Sequence, residues 1–280
     1  MYREAIEKGG LAVVTGAANG VGKAAAQRFL QDGLGAVLVD LPGEALDAAE
    51  AELRDMAGAS ATVQAVPTDV TDAATVTALA DRAFSLGEVA VLMNNAGIAL
   101  PTGSWDGTQN WRKLMEVNFF GVMNGVHAFL PRMIDAARPA LVINTGSKQG
   151  ITTPPGNPAY NASKAAVKVM TEMLAHDLRE ATAPITAHLF VPGFTYTGMI
   201  QKFMPEKPAA AWTSEEAIDY MLRRVSAGDF YILCPDNDVS EERDIKRVEW
   251  AMGDIIHNRP ALSRWHPDFA QAFAEHEVSG

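Results

Sequence analysis

Three side chains within one short stretch could move a proton to and from an oxygen atom. The stretch from Ser147 to Lys164 reads SKQGITTPPGNPAYNASK, and it supplies a hydroxyl, a phenol and an ammonium. Tyr160 and Lys164 are four residues apart at the start of a predicted helix, so their side chains should share one helical face. Ser147 follows a strand-like apolar run, which predicts that it stands at a strand end.

The chemistry depends on the pKa of the phenol. A free tyrosine has a pKa of about 10, too high for a base at neutral pH. A cation on the next helical turn stabilises the phenolate, so we expect Lys164 to lower the pKa of Tyr160. The same Tyr-x-x-x-Lys spacing also occurs as a surface pair on ordinary helices. A catalytic role for Tyr160 therefore requires that another part of the chain can bind a redox cofactor.

A glycine-rich turn near the N-terminus indicates such a cofactor. The apolar run 11–14 ends in TGAANGVG (15–22), and a helical pattern follows. A strand, a glycine turn and a helix form a phosphate-binding unit, because glycines let the backbone approach a pyrophosphate at the helix N-terminus. Ala17 and Ala24 exclude a P-loop, and Ala25 excludes the common G-x-G-x-x-G pattern.

The residue after the second predicted strand, 36–39, is Asp40. An acidic residue there can bind the adenosine ribose hydroxyls and repel a 2′-phosphate. Leu41 stands where an arginine would favour NADP, and Asn19 in the glycine turn is neutral. We predict NAD as the cofactor, with NADP less favoured. As an alternative, Asp40 could cap a helix that begins near Pro42.

Strand-like and helix-like segments alternate through the rest of the chain. Predicted strands cover residues 62–66, 89–93, 141–144 and 185–191, and predicted helices cover residues 44–56, 72–86, about 108–137 and 158–180. This alternation predicts an α/β fold with one doubly wound, mostly parallel Rossmann-type sheet and helices on both faces. We predict a single domain, 1–280, with a core of about 9–235 and a C-terminal helical extension of about 236–280.

Composition narrows the choice of partners. The 280 residues carry a net charge of −11, which argues against nucleic acid or an anionic membrane surface as partner. No apolar run approaches the ~18 residues of a membrane span, and residues 1–10 do not resemble a signal peptide. The one cysteine, Cys234, excludes an internal disulfide, so we expect a cytoplasmic protein. Six histidines lack paired ligand spacing, so we predict no metal site and place them on helix surfaces or in solvent.

Taken together, these motifs resemble the short-chain dehydrogenase/reductase family over about residues 9–235. The matching elements are TGAANGVG (15–22), Asp40, Asp69-Val70, NNAG (94–97), Asn118, Ser147, YNASK (160–164) and PGFTYT (192–197). Two departures stand out. Gly146 precedes Ser147 where the family often has a second serine, and the usual glycine-rich end after the last strand is absent.

The resemblance implies a role for each matching residue. Tyr160 would be the general acid/base, Ser147 would bind the substrate oxygen, Lys164 would hold the nicotinamide ribose, and Asn118 would support a water relay to Lys164. The implied NAD contacts are Gly16, Asn19, Val21 and Gly22 at the pyrophosphate, Asp40 at the ribose, Asp69 and Val70 at the adenine, Asn95, Ala96, Gly97 and Thr145 along the cofactor, and Pro192, Gly193, Thr195 and Thr197 at the nicotinamide end.

The resemblance also implies a reaction and an assembly. The reaction would be NAD-dependent interconversion of a secondary alcohol and a ketone, as in alcohol dehydrogenases. The protein would be a homo-oligomer, either a dimer or a tetramer. The extension could cover the substrate pocket, clasp a second subunit or pack on its own domain.

Specificity in this family comes from the loop after the sixth strand, here about 198–212. Its apolar, methionine-bearing sequence favours a hydrophobic or aromatic small-molecule substrate. The predicted pocket residues are Gln149, Met199, Phe203, Met204 and Trp212.

Rival functions remain open from the sequence. They are an NADP-dependent carbonyl reductase, a sugar-nucleotide epimerase or dehydratase, and a cofactor-binding sensor or scaffold that has lost catalysis. An enoyl reductase would need lysine at position 167, where this chain has Val167. The intact Ser147, Tyr160 and Lys164 argue against the sensor.

Overall fold

The computed structural model describes residues 1–58, 61–201 and 204–278. Within these ranges, seven strands form one parallel sheet in the order β3-β2-β1-β4-β5-β6-β7. The strands are β1 Leu11–Thr15, β2 Gly35–Asp40, β3 Val63–Pro67, β4 Val89–Asn94, β5 Ala140–Thr145, β6 Ile185–Val191 and β7 Tyr231–Leu233. The strand order reverses beside β1, which creates a crevice at the carboxyl ends of β1 and β4. The predicted doubly wound Rossmann-type fold is confirmed.

Helices cover both faces of this sheet. They are α1 Tyr2–Glu7, α2 Gly20–Gln31, α3 Glu44–Ala57, α4 Ala73–Leu86, α5 Thr108–Met115, α6 Gly121–Asp135, α7 Gln149–Thr152, α8 Pro158–Glu180, α9 Gly198–Gln201, α10 Ser214–Ala227, α11 Glu241–Ile256 and α12 Ala270–Val278. One buried cluster joins the sheet to α2, α3 and α10 around Phe29 and Met221. The other joins it to α4, α6 and α8 around Phe129 and Leu174. The short α1 has no counterpart among the predicted elements.

The burial of the strands explains their apolar sequences. Every residue of β1, β4 and β5 is buried, whereas the edge strands β3 and β7 are only partly covered. A central parallel strand is covered on both faces, so it needs a continuous apolar run rather than alternation. This is why runs such as LAVVT were recognisable as strands.

The helix expected over about 108–137 is interrupted in its middle. A π-helical turn, Glu116–Phe120, separates α5 from α6, and α6 ends at Asp135. Such turns insert an extra residue into a helix and re-aim the side chains that it carries. Asn118, one of the predicted site residues, lies in this turn and is fully buried.

The C-terminal extension forms a small cluster of its own and packs against α7. The indole of Trp250 donates to Ser263 Oγ at 2.8 Å, and its ring packs edge-on against Phe273. The Arg247 guanidinium pairs with Glu277 at 2.7 Å, which ties α11 to α12. Of the roles considered for the extension, packing on its own chain is therefore present in this structure.

No helix in the described ranges has both the length and the apolarity needed to cross a membrane. The described residues also contain no group of three or more His, Cys, Asp or Glu side chains that could hold a metal ion. The expectation that the histidines lie at the surface is wrong for His188. It is buried in β6, where its ring contacts Thr186 Oγ1 and the carbonyl oxygen of Asp229.

Candidate active site

The glycine turn after β1 is closely packed against the residues after β4. Gly16 and Gly20 have φ of +69° and +54°, a region that favours glycine. A Cβ on Gly16 would lie 2.9 Å from Cα of Ala96, and a Cβ on Gly22 would collide with the carbonyl oxygen of Gly16. Asn19 is the N-cap of α2, and its side chain accepts no hydrogen bond from the first turn of the helix. The turn therefore leaves backbone N–H groups for an anion such as a pyrophosphate.

A polar latch joins this turn to β4 and β5. The backbone N–H groups of Asn95 and Ala96 donate to Thr15 Oγ1 at 2.9 and 3.0 Å. The Asn95 amide donates to the carbonyl oxygen of Thr15 at 3.1 Å and accepts from Thr145 Oγ1 at 3.2 Å. Thr15 belongs to the recognised motif but was not predicted as a site residue. Its position immediately before the first glycine is the signal that could have identified it.

The two acidic residues predicted to bind adenosine differ in their surroundings. The carboxylate of Asp40 accepts from the N–H of Ala18 at 3.0 Å and of Leu41 at 2.8 Å, so it lies against the glycine turn. It does not cap α3, whose N-cap is Gly43, and that alternative is wrong. The exposed carboxylate of Asp69 instead accepts from the N–H and hydroxyl of Thr71.

Val70, the other residue predicted at the adenine, is buried against the start of α6. Its side chain lies next to Gly121, where a Cβ would come within 2.8 Å of it. Its carbonyl oxygen accepts from the Asn124 amide at 2.9 Å. Val70 therefore helps to fix the start of α6 beside the strand ends.

Ser147 and Tyr160 are brought together by the start of α8. Asn157 caps this helix by accepting from the N–H of Tyr160 at 3.3 Å, and it also accepts from Thr102 Oγ1 at 2.8 Å. Ser147 Oγ accepts from the N–H of Gln149 at 3.2 Å, and the Ser147 hydroxyl is close enough to the Tyr160 phenol to affect the pKa of that phenol. The contact between Thr102 and Asn157 has no signal in the local sequence, because 55 positions separate the two residues.

The pKa of Tyr160 differs from the expectation. Burial raises it above its ordinary value, and the hydrogen bond from Ser147 opposes that rise. Lys164 does not contribute to this shift, and its ammonium donates to the carbonyl oxygen of Thr145 at 2.8 Å. Burial lowers the pKa of Lys164 itself to about 8. The predicted lowering of the phenol pKa by Lys164 is therefore not found.

Asn118 holds the loop after β4 against α8. Its Oδ1 accepts from the N–H of Ile98 at 2.8 Å, and its Nδ2 donates to Ile98 O at 3.0 Å and to Ser163 Oγ at 3.1 Å. A Cβ on Gly97 would lie 3.4 Å from Asn118 Oδ1 and 3.6 Å from Lys164 Nζ. Both N–H groups of the Asn118 amide are used by Ile98 and Ser163. The implied water relay from Asn118 to Lys164 stays a prediction.

The segment after β6 returns to the glycine turn. A Cβ on Gly20 would lie 3.2 Å from the Cβ of Thr197. Thr195 is buried, and its hydroxyl donates to the carbonyl oxygen of Gly193 at 3.2 Å. Pro192 and Gly193 pass so close to Pro235 that a Cβ on Gly193 would lie 2.5 Å from the Pro235 carbonyl oxygen. The residues predicted at the nicotinamide end are therefore contiguous with those predicted at the pyrophosphate.

The predicted substrate pocket is only partly assembled. Gln149 lines a cavity of about 330 Å³ beside α7. Trp212 instead packs on Tyr220, with ring centres 5.8 Å apart, and Met204 is 48% exposed. Phe203 and the side chain of Met199 lie outside the described residues. The place of Trp212 in the pocket stays a prediction, since the structure shows only that its ring packs on Tyr220 of α10.

A charge cluster connects α7 to the extension. Lys148, the residue after Ser147, pairs with Asp244 of α11 and lies 3.6 Å from Asp236. Asp236 also accepts from the N–H of Phe194 at 3.2 Å. Burial raises the pKa of Asp244, and the Lys148 ammonium opposes that rise. These contacts were not predicted, since nothing in the local sequence pairs residues so far apart.

Comparisons with known proteins agree with this geometry. The family described as short chain dehydrogenase matches residues 10–208. The chain is 38% identical over 212 residues to the 1-deoxy-11-beta-hydroxypentalenate dehydrogenase of Streptomyces exfoliatus, covering 74% of this chain and 75% of that protein. It is 33% identical over 195 residues to the NADP-dependent (R)-specific alcohol dehydrogenase of Lentilactobacillus kefiri, covering 69% and 76%.

A solved structure extends the similarity to the fold. A short chain dehydrogenase/reductase from Burkholderia phymatum in complex with NAD superposes with a TM-score of 0.81 at 30% identity, covering 90% of this chain and 96% of that one. The family match spans more than half of the chain and includes the glycine turn, Ser147, Tyr160 and Lys164. The chain therefore belongs to the short-chain dehydrogenase family of oxidoreductases.

Proposed function

We propose that the protein is an NAD-dependent oxidoreductase that interconverts a secondary alcohol and its ketone, with Tyr160 as the general acid/base. The observation that carries this proposal is the grouping of three side chains. The Ser147 hydroxyl lowers the pKa of the Tyr160 phenol, so the two groups are close together, and Lys164 is buried one helical turn further on. All three lie at the same edge of the sheet as the glycine turn, where cofactors bind in such sheets.

The protonation state of Tyr160 suits ketone reduction directly. Because burial raises its pKa, the phenol is protonated at neutral pH and can donate to a ketone oxygen. In alcohol oxidation the phenol must first lose its proton. The Ser147 hydroxyl, which opposes the rise in the pKa of Tyr160, is the group that favours this loss. The Ser147 hydroxyl would donate to the same substrate oxygen and hold it in position.

The cradle around the glycine turn fits a dinucleotide, since side chains on Gly16 or Gly22 would fill it. When bound, the nicotinamide ring supplies or accepts the hydride. The N-terminus of α2 would hold the pyrophosphate, and Asp40 the adenosine ribose. The Asp40 charge beside the turn disfavours a 2′-phosphate, and for that reason we prefer NAD over NADP.

The substrate class is proposed as a hydrophobic secondary alcohol or ketone. The Streptomyces relative is named for a hydroxypentalenate and the Lentilactobacillus relative for an (R)-specific alcohol, so hydroxyl-bearing molecules are the common theme of both names. Apolar side chains also lie near Ser147, among them Ile151 and Trp265 in the wall of the cavity beside α7.

We further propose that residues 1–280 act as one oxidoreductase unit, with its core at about 9–235 and the extension at about 236–280. The proposal includes a cytoplasmic location and a homo-oligomeric assembly. The support for the location is the single cysteine, Cys234, which is buried and unpaired within the described residues.

The test is NADH formation by the purified protein on a panel of secondary alcohols, with NAD and NADP compared side by side. Tertiary alcohols of the same skeletons serve as controls, because they have no hydrogen on the carbinol carbon to transfer. Turnover of a secondary alcohol with NAD is expected. NAD binding by calorimetry without turnover of any alcohol or ketone would instead support the sensor.

A further inference from the structure

A cavity of about 330 Å³ separates α7 from the C-terminal extension. Its volume falls at the lower end of the range typical of small-molecule sites. The apolar part of its wall comes from both sides, with Ile151 on α7, Leu233 at the end of β7, and Val248 and Trp265 from the extension. The extension therefore supplies part of the wall that the core alone would leave open.

The charges of the cavity wall do not balance. The wall contains three cationic side chains, those of Lys148, Arg247 and Arg264, and one carboxylate, that of Asp244. Lys148 pairs with Asp244, and Arg247 pairs with Glu277 at 2.7 Å while lying 3.9 Å from Asp244. Two of the three cations are thus already used within the protein.

Arg264 is the cation that remains. Within residues 1–58, 61–201 and 204–278, its guanidinium has neither an ion pair nor a hydrogen bond. The Cζ atom of Arg264 lies 4.8 Å from the ring centre of Trp265 and 4.9 Å from that of Phe273. Stacking orients a guanidinium and leaves its N–H groups at the edge available. Burial and the nearby Arg247 and Arg243 lower the pKa of Arg264, and the carboxylates of Glu277 and Asp244 oppose that shift. An anion bound in the cavity would further stabilise the charge of the guanidinium.

The cavity begins one residue from the predicted active site. Lys148 and Gln149 of its wall directly follow Ser147, and the N–H of Gln149 donates to Ser147 Oγ at 3.2 Å. The cavity wall and the predicted active site therefore share the start of α7.

We propose that the cavity receives the far end of the substrate, an apolar segment that carries a carboxylate, and that Arg264 binds this carboxylate. The proposal rests on the proposed function, because it assigns a substrate class to the same site. A planar carboxylate matches the paired N–H groups of a guanidinium. A phosphate dianion would suffer more repulsion from Asp244 and would not suit the apolar wall.

Octanoate is a suitable probe, and its methyl ester is the neutral control. Calorimetric titration is expected to show octanoate binding to the full-length protein and no comparable binding of the ester. Arg264→Gln should weaken octanoate binding by about tenfold or more, since it removes a charge-assisted pair. Arg223→Gln is the matched control, because Arg223 also stacks on an aromatic ring, Tyr220 at 5.5 Å, but does not line the cavity.

Inhibition kinetics test whether octanoate and the substrate bind at the same site. Octanoate should inhibit turnover of a neutral secondary alcohol competitively. Arg264→Gln should raise its inhibition constant by the same factor, and Arg223→Gln should leave this constant unchanged. Equal octanoate affinity in wild type and Arg264→Gln, or inhibition that is not competitive, would overturn the proposal. Octanoate binding that depends on Arg264, in a protein that turns over no alcohol, would leave the anion site standing and refute the oxidoreductase function on which its assignment rests.

Discussion

Lys164 donates from its buried Nζ to the carbonyl oxygen of Thr145 at 2.8 Å. The lysine lies one helical turn after Tyr160, yet this bond fixes its ammonium to the end of β5. The side chain is only 4% exposed. Burial therefore governs the pKa of both residues, raising that of the phenol and lowering that of the ammonium.

The burial of Lys164 predicts a pH-dependent stability. Its pKa falls from 10.5 to about 8 on folding, so between these values the unfolded chain binds more protons than the folded chain. The free energy of unfolding should consequently rise with pH across this window, by about 3 kcal/mol in total. We expect Lys164→Met to lose this rise. Urea unfolding at about pH 7 and about pH 10 measures it.

The control for this experiment is Lys168→Met, one turn further along α8. Lys168 is more exposed and pairs with Glu172 at 2.8 Å. The Lys168→Met variant should keep the rise of the free energy of unfolding with pH that the wild type shows. The same pH dependence in wild type and Lys164→Met would contradict the effect assigned to burial.

The charge of Asp40 should determine the choice of cofactor. Asp40→Asn keeps an oxygen that can accept from a backbone N–H but removes the charge that would repel a 2′-phosphate. We expect the KM for NADP to fall by about tenfold or more and the ratio of kcat/KM for NAD to that for NADP to fall with it. Steady-state kinetics with both cofactors checks this expectation.

An exposed aspartate serves as the comparison for Asp40. Asp81→Asn removes a carboxylate that pairs with Arg132 at 2.8 Å on the surface. It should leave the cofactor ratio unchanged. An Asp40→Asn enzyme with the wild-type ratio would show that this carboxylate does not discriminate between the cofactors.

The ion pair between Lys148 and Asp244 should be strongly coupled. Asp244 is 4% exposed, so removing its partner leaves a buried charge without compensation. We expect Lys148→Met and Asp244→Asn each to lower the free energy of unfolding, and the double variant to lose about 1–3 kcal/mol less than their sum. Urea unfolding of the four proteins gives the coupling. Additive losses would mean that the pair does not join the extension to α7.

Much of the fold could be predicted because its central strands are buried on both faces. Residues 11–14 and 89–93 are apolar throughout for this reason, and the polar residues that follow them lie at one edge of the sheet. Parallel strands bring their carboxyl ends together, so the clustering of Ser147 with the glycine turn followed from strand order alone.

The remaining features depend on contacts that local sequence does not encode. The pKa of Tyr160 depends on burial by segments from several parts of the chain, and this burial outweighs the helical spacing to Lys164. The packing of the Trp212 ring on Tyr220 joins the loop after β6 to α10, and the local sequence does not report this contact. The approach of Asp244 to Lys148 joins residues nearly a hundred positions apart, and no periodicity reports it.

The central claim is that the Tyr160 phenol exchanges the proton, and Tyr160→Phe tests it most directly. The variant removes one hydroxyl and keeps the ring. The matched control is Tyr231→Phe. The hydroxyl of Tyr231 donates to Glu172 at the amino end of β7, away from the carboxyl ends of the strands where the site lies. With a secondary alcohol and saturating NAD, we predict that kcat falls by about 10²–10⁴ in Tyr160→Phe and is unchanged in Tyr231→Phe. A Tyr160→Phe enzyme that retains the wild-type kcat would contradict the account.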